Sequence, residues 1–189
     1  AVQGGAVGIR LQGLDDIRAA ADLTVPVVGL WKDGDSDVFI PPTLEHARAV
    51  ADAGADIVAI DGTRRTRPDG LTLAETVAGL RATHDVMIMA DCGSLDDAIA
   101  AEEAGVDILG TTLSGYSGER PKTAGPDIEL IADIAARCTL PIVAEGRIHS
   151  PADAAAARRA GAHGVCVGTA ITHPSTITGW FVAALEEVR

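Results

Sequence analysis

The sequence predicts an α/β fold, a (β/α)8 barrel built on a parallel sheet, and three observations carry the prediction. Short apolar runs alternate with alanine-rich helical stretches from end to end. The runs are continuously apolar rather than alternating, which is what strands covered on both faces require. A two-strand unit also repeats: "AGADIVAIDGT" begins at Ala53, "AGVDILGTTLS" at Ala104 and "AGAHGVCVGTA" at Ala160. Between those copies lie a second set of strands, so each repeat is a pair of βα units and four copies make eight strands.

The elements follow in order. Strands are expected at 6–11 ("AVGIRL"), 25–32 ("VPVVGLWK"), 56–61 ("DIVAID"), 86–92 ("VMIMADC"), 107–112 ("DILGTT"), 141–147 ("PIVAEGR") and 164–171 ("GVCVGTAI"). The helices between them announce their ends. Thr72 with Glu75 makes a capping box, Ser150-Pro151 with Asp153 joins an N-cap to an N1 proline and an N3 acid, and Ser94 caps "LDDAIAAEEAG". Gly54, Gly105 and Gly161 each stop a helix just before a strand. Seven strands are recognisable where eight are expected, in a single barrel domain spanning 1–189. The expectation is that the first strand is missing, because "AVQGGAVGIR" reads as a helix tail entering the second. Such a sheet has open edges, a liability.

Composition narrows the function. Hydrophobic residues make up 47% and charged residues 22% of 189, ordinary for a globular chain. No apolar run approaches the ~20 residues that cross a bilayer, and no signal peptide is legible, which suggests a cytoplasmic protein with no membrane partner. A net charge of −12 and an aromatic content of 3% argue against nucleic acid. Cys92, Cys138 and Cys166 share no metal-type spacing and read as reduced core thiols.

Chemistry in such barrels gathers where strands end. Those ends carry Arg10, Lys32, Asp61, Asp91, Thr111-Thr112, Glu145-Gly146-Arg147 and Gly168-Thr169. Each alone is compatible with a solvated strand end; together they favour a site. Glycines in "AEGR" and "VGTA" let backbone N–H groups approach an anion after the last two strands, the usual phosphate position of this fold.

The segments "VGIRLQG", "VVGLWKDG", "AIDGTRRTRP", "IMADCGS", "GTTLSGYS", "IVAEGRIHSP" and "VGTAIT" together resemble the N-acetylmannosamine-6-phosphate 2-epimerase family, in order from residue 2 to the end. The resemblance implies a TIM barrel of the ribulose-phosphate-binding type that interconverts N-acetylmannosamine 6-phosphate and N-acetylglucosamine 6-phosphate in sialic acid breakdown, with no cofactor. It implies Lys32 as the catalytic lysine and Glu145 as the catalytic carboxylate. It places Arg10 and Asp91 on the sugar, and Gly146, Arg147, Gly168 and Thr169 at the phosphate. His173 stands where the family more often has arginine near the phosphate. A lysine tucked at the barrel mouth loses hydration and is thereby suited to proton transfer at C2, with Glu145 as its partner or as acid/base at the sugar oxygens.

Other residues are expected to do less. Asp61 contributes to the polar floor of the site, and Trp31 and Trp180 are packing groups. The run "TRRTRP" (63–68) is a solvated loop rather than a second phosphate clamp. Tyr116 lies on a long loop that closes over substrate or simply stands in solvent. The apolar face of "ITGWFVAALEEV" (177–188) packs on its own barrel or pairs a homodimer. Two other classes stay open: a truncated barrel that binds sugar phosphate without turnover, and a flavin or nucleotide barrel sharing the phosphate pattern.

Overall fold

Seven strands form one parallel sheet in chain order in the computed structural model, which describes residues 1–187. They are β1 (Ile9–Gln12), β2 (Val27–Leu30), β3 (Ile57–Asp61), β4 (Met87–Asp91), β5 (Ile108–Gly110), β6 (Ile142–Glu145) and β7 (Gly164–Cys166). Helices α1 (Leu14–Ala19), α2 (Leu44–Asp52), α3 (Leu73–Arg81), α4 (Leu95–Glu103), α5 (Ile128–Arg137) and α6 (Pro151–Arg159) follow the first six strands in turn. After β7 come α7 (Thr169–Thr172) and α8 (Pro174–Glu186). Each strand pairs with the next, and the sheet curls into a nearly closed barrel in which β1 and β7 are the two ends.

Local chemistry sets the helix boundaries. The side chains of Thr43, Thr72, Ser94, Asp127 and Ser150 each accept a backbone N–H from the first turn of the helix they precede. Thr72–Glu75 and Ser150–Asp153 close reciprocal capping boxes as expected. Gly54, Gly105 and Gly161 follow their helices at φ of 101°, 87° and 116°, a region that a side chain would strain.

The two-residue period of the strands then divides the core. Val58, Ile60, Ile88, Ala90, Leu109 and Ile142 face the helices, packing with Val50, Val77, Leu80, Ala98, Leu130 and Ile134. Leu30, Ala59, Met89 and Ile108 face the lumen, joined by Ile40 and Leu113 from loops. Asp61, Asp91 and Glu145 share the lumen face nearer the strand ends, while Arg10, in register with Val28, joins that face two residues before the end of β1.

Two expectations change. The last strand ends at Cys166, not at 171, because the chain turns at Gly168 and winds into α7, with Ile171 and Thr172 donating to the Gly168 carbonyl. The apolar run there mixed a strand with a helix. Helix α8 buries none of its residues: Phe181 is 69% and Leu185 67% exposed, so the expected packing of 177–188 on the barrel is not found. Val188 of that stretch lies outside the described residues.

Candidate active site

Arg10 organises the mouth of the lumen. From β1 it reaches across to β4 and β6, with Nη2 donating to Asp91 Oδ2 at 2.5 Å and Nε 3.1 Å from Glu145 Oε2. Asp91 is fully buried, and its Oδ1 accepts the Thr112 hydroxyl at 2.7 Å. Gly110 opposite makes room: a Cβ there would meet Met89 Cε at 2.5 Å and Asp91 Oδ1 at 3.1 Å. The Arg10–Glu145 contact is an ion pair without hydrogen-bond alignment, which leaves Oε2 buried and without a hydrogen bond among the described residues.

The electrostatics follow from that geometry. Burial pushes the Glu145 carboxyl above its ordinary range; Arg10 pulls it back, and Asp91 adds to the rise. Burial works to loosen the Arg10 proton, but Asp91 and Glu145 outweigh it and the guanidinium holds its charge more firmly. Cys166, the register partner of Glu145 on β7, has its thiol pushed up to about 12 by burial and then by that carboxylate.

Lys32 lies two residues beyond the end of β2 and is solvent-exposed, with no hydrogen bond or ion pair among the described residues. The lysine expected to be tucked beside Glu145 is therefore not seen; the carboxylate's charge partner is Arg10. Trp31 explains the placement. It packs with the outer layer and against the His46 ring of α2, centroids 4.5 Å apart, so β2 leaves the sheet before Lys32.

Asp61 differs from its expected role on the floor of the site. Its Oδ1 accepts the Thr63 N–H at 2.9 Å and hydroxyl at 2.5 Å, and its Oδ2 accepts Arg65 Nη2 at 2.8 Å. Both oxygens hold the loop that follows β3 rather than facing substrate. Burial raises the Asp61 pKa, although Thr63 and Arg65 oppose it. The "TRRTRP" loop is also not merely solvated: Arg67 is 4% exposed and donates to the Asp61 carbonyl, while Arg64 binds Asp97 and Glu119.

Arg147 turns away from the expected phosphate position. With φ of 55° it is the one non-glycine residue at positive φ among the described residues. Its Nε donates to Gly125 O at 3.0 Å, Nη1 to Ser114 O at 2.8 Å and Nη2 to Thr123 Oγ1 at 3.1 Å. The guanidinium thus clasps the loop between β5 and α5. Tyr116 of that loop is 53% exposed, with Lys122 Nζ 4.6 Å and Arg147 Cζ 5.7 Å from its ring centre. Gly146 precedes at φ of 104°. Gly168 and Thr169 begin α7 and are exposed, and the His173 ring contacts Thr176 Oγ1 at 2.6 Å in the first turn of α8.

Residues 1–187 match the family model described as "Putative N-acetylmannosamine-6-phosphate epimerase". The chain belongs to the NanE family. A Cutibacterium acnes relative, named a putative N-acetylmannosamine-6-phosphate 2-epimerase, is 58% identical over 97% of this chain and 81% of its own length. A Corynebacterium glutamicum relative of the same name is 45% identical over 98% of this chain and 82% of its own. The solved N-acetylmannosamine-6-phosphate 2-epimerase from Clostridium perfringens superposes with a TM-score of 0.93 at 34% identity, covering 97% of this chain and 81% of that one. A thiamine phosphate pyrophosphorylase from Pyrococcus furiosus, at 19% identity and a TM-score of 0.58, shares the fold.

Within this NanE barrel the geometry gathers Arg10, Asp91 and Glu145 into one cluster, sets Lys32 at the exposed rim, and leaves Asp61 and Arg147 holding loops. Two lumen neighbours escaped the sequence reading. Thr112 was visible only as one of several strand-end residues, and nothing local marks its bond to Asp91. Cys166 reads as a core thiol until the β6–β7 register sets it beside Glu145.

Proposed function

We propose that this NanE member interconverts N-acetylmannosamine 6-phosphate and N-acetylglucosamine 6-phosphate by removing and returning the proton at C2. The observation that carries the reading is the Arg10–Asp91–Glu145 cluster at the lumen mouth. In the ring-opened sugar, C2 lies next to the C1 aldehyde, so loss of its proton places negative charge on oxygen. Arg10, fixed by Asp91 and always cationic, is suited to face that charge or the sugar hydroxyls. Glu145 holds a proton more readily than an ordinary carboxylate, which suits a group that gives and takes protons near neutrality.

Lys32 takes the C2 proton in this reading. It stands exposed at the rim, two residues beyond Leu30, whose side chain faces the lumen. The phosphate docks near Gly146 and the Gly168–Thr169 turn, with His173 close by in sequence; the Arg147 side chain is left to its loop. The substrate is a phosphorylated amino sugar of sialic acid breakdown, handled in the cytoplasm. No helix among the described residues is long and apolar enough to cross a membrane.

The test is to incubate the chain with N-acetylmannosamine 6-phosphate in D₂O and follow the C2 proton by NMR. Formation of the gluco epimer with deuterium at C2 is expected. Lys32→Ala and Glu145→Gln should each lower that rate by ~10²–10⁴, the usual contribution of a proton-transfer group. Unchanged exchange in Lys32→Ala would overturn its role. Substrate line-broadening without exchange in the unsubstituted chain would overturn the epimerase reading.

A further inference from the structure

Strand β5 stops at Gly110, yet Glu145 at the end of β6 is still held from the β5 side. In a parallel ladder a residue bonds to both neighbours of its partner. The Thr111 N–H donates to the Val143 carbonyl at 3.3 Å, so the next bond is due from the Glu145 N–H to the Thr111 carbonyl. That carbonyl is taken. It accepts the Ser114 N–H at 3.1 Å, closing the turn by which the chain leaves the sheet. The Thr111 hydroxyl stands in for it, accepting the Glu145 N–H at 3.0 Å and donating to the Glu145 carbonyl at 3.0 Å. Thr111 is 2% exposed, so water does not compete for either bond.

The next residue reaches the rest of the cluster. Thr112 turns its hydroxyl into the lumen and binds Asp91, which holds Arg10, which faces Glu145. Side chains on consecutive residues thus fix the backbone of Glu145 and the carboxylate of Asp91.

We infer that Thr111 is a positioning residue for proton transfer: its hydroxyl replaces the missing rung of the β5–β6 ladder and sets where Glu145 stands against Arg10. The inference rests on the reading that Glu145 handles a proton in the reaction. Valine is the matched replacement, since it keeps the shape and removes both bonds; serine keeps both bonds.

Four measurements test it. In the unsubstituted chain the Glu145 amide should exchange as slowly as its ladder neighbours; exchange at the rate of an open loop would overturn the clasp without any variant. In Thr111→Val that amide should exchange about tenfold faster or more, the effect of losing one buried bond. Thr111→Val should also lower kcat about tenfold or more while KM stays within about threefold, and move the acid limb of the pH profile, because Glu145 shifts against Arg10. Thr111→Ser should restore kcat and the limb to within about threefold of the unsubstituted chain. Glu145→Gln, run alongside, separates the failures. Full turnover in that variant would overturn the reading of Glu145. Lost turnover in Glu145→Gln with unchanged kcat and pH limb in Thr111→Val would overturn the role of Thr111 alone.

Discussion

Arg10 balances two carboxylates that could not otherwise share one buried mouth. Replacing it by methionine keeps the bulk and removes the charge, leaving Asp91 and Glu145 unpaired. Removing one partner of a buried ion pair costs about 3–5 kcal/mol, and the loss should show in urea unfolding at pH 7. Arg10→Lys keeps a charge but loses the fork that touches both carboxylates, so it should recover only part of the stability. Glu145 gives a further prediction with a definite sign. Its carboxyl is held above the ordinary value of 4.5, so between 4.5 and its raised folded value the folded chain binds more protons than the unfolded one. Stability from this group is full below 4.5 and is lost as pH rises through the folded value. Asp127 contributes oppositely. Although burial raises it, its bonds to Arg120, Ser114 and Leu130 hold its pKa below the ordinary value, so its share is lost as pH falls. Glu145→Gln should flatten the unfolding free energy against pH just above 4.5 and leave the acid side, where Asp127 titrates, unchanged.

At the scale of elements, the loop between β5 and α5 shows which parts of the molecule could be read in advance. Its far end obeys a local rule that the sequence reading did not name: Asp127 caps α5, accepting the Leu130 N–H, and anchors Ser114 and Arg120. Caps and C′ glycines elsewhere were legible because they span a few residues and obey fixed offsets. Arg10, Asp91 and Glu145 were legible as charges ending apolar strands. Their pairing was not, since Arg10 and Asp91 are 81 residues apart and no spacing rule joins them. The strand bounds were also too generous, because an apolar run does not say where Thr111 or Gly168 will turn. Arg147 shows the same limit: its position after Glu145 suggests phosphate, and no local rule announces its three bonds to a distant loop. Removing them should free that loop. Arg147→Ala loses three bonds of about 1 kcal/mol each and keeps the positive-φ cost of about 1–3 kcal/mol, because alanine still carries a Cβ. Arg147→Gly accepts the same φ at no steric cost, so it should be more stable than the alanine variant. In both variants trypsin should cut after Lys122 faster, and equal cleavage in all three proteins would count against the clasp.

At the scale of the molecule, the seven strands and eight α-helices of the described residues do not share burial evenly. The centre of the sheet is dense: Val58, Ile88 and Leu109 are fully covered, and α5 plants Leu130, Ile131 and Ile134 with no exposure. The ends of the sheet are thin. Val7, just before β1, is 87% exposed, β7 buries none of its residues, and α8 rests on α7 with Trp180 against the His149 ring at 4.6 Å. Apolar area that never leaves water contributes nothing to folding, whatever its side chain. Truncations therefore should not scale with residue size. Ile134→Ala should cost about 2–5 kcal/mol, as for a buried aliphatic that leaves a cavity. Phe181→Ala, although it removes a larger group, should cost less than about 0.5 kcal/mol. Urea unfolding of the two variants at low micromolar concentration would measure the contrast. A cost at Phe181 near that of Ile134 would mean that α8 folds onto an apolar surface in solution. Repeating the Phe181 measurement at tenfold higher concentration would then locate that surface, since burial between two chains grows with concentration and burial within one does not.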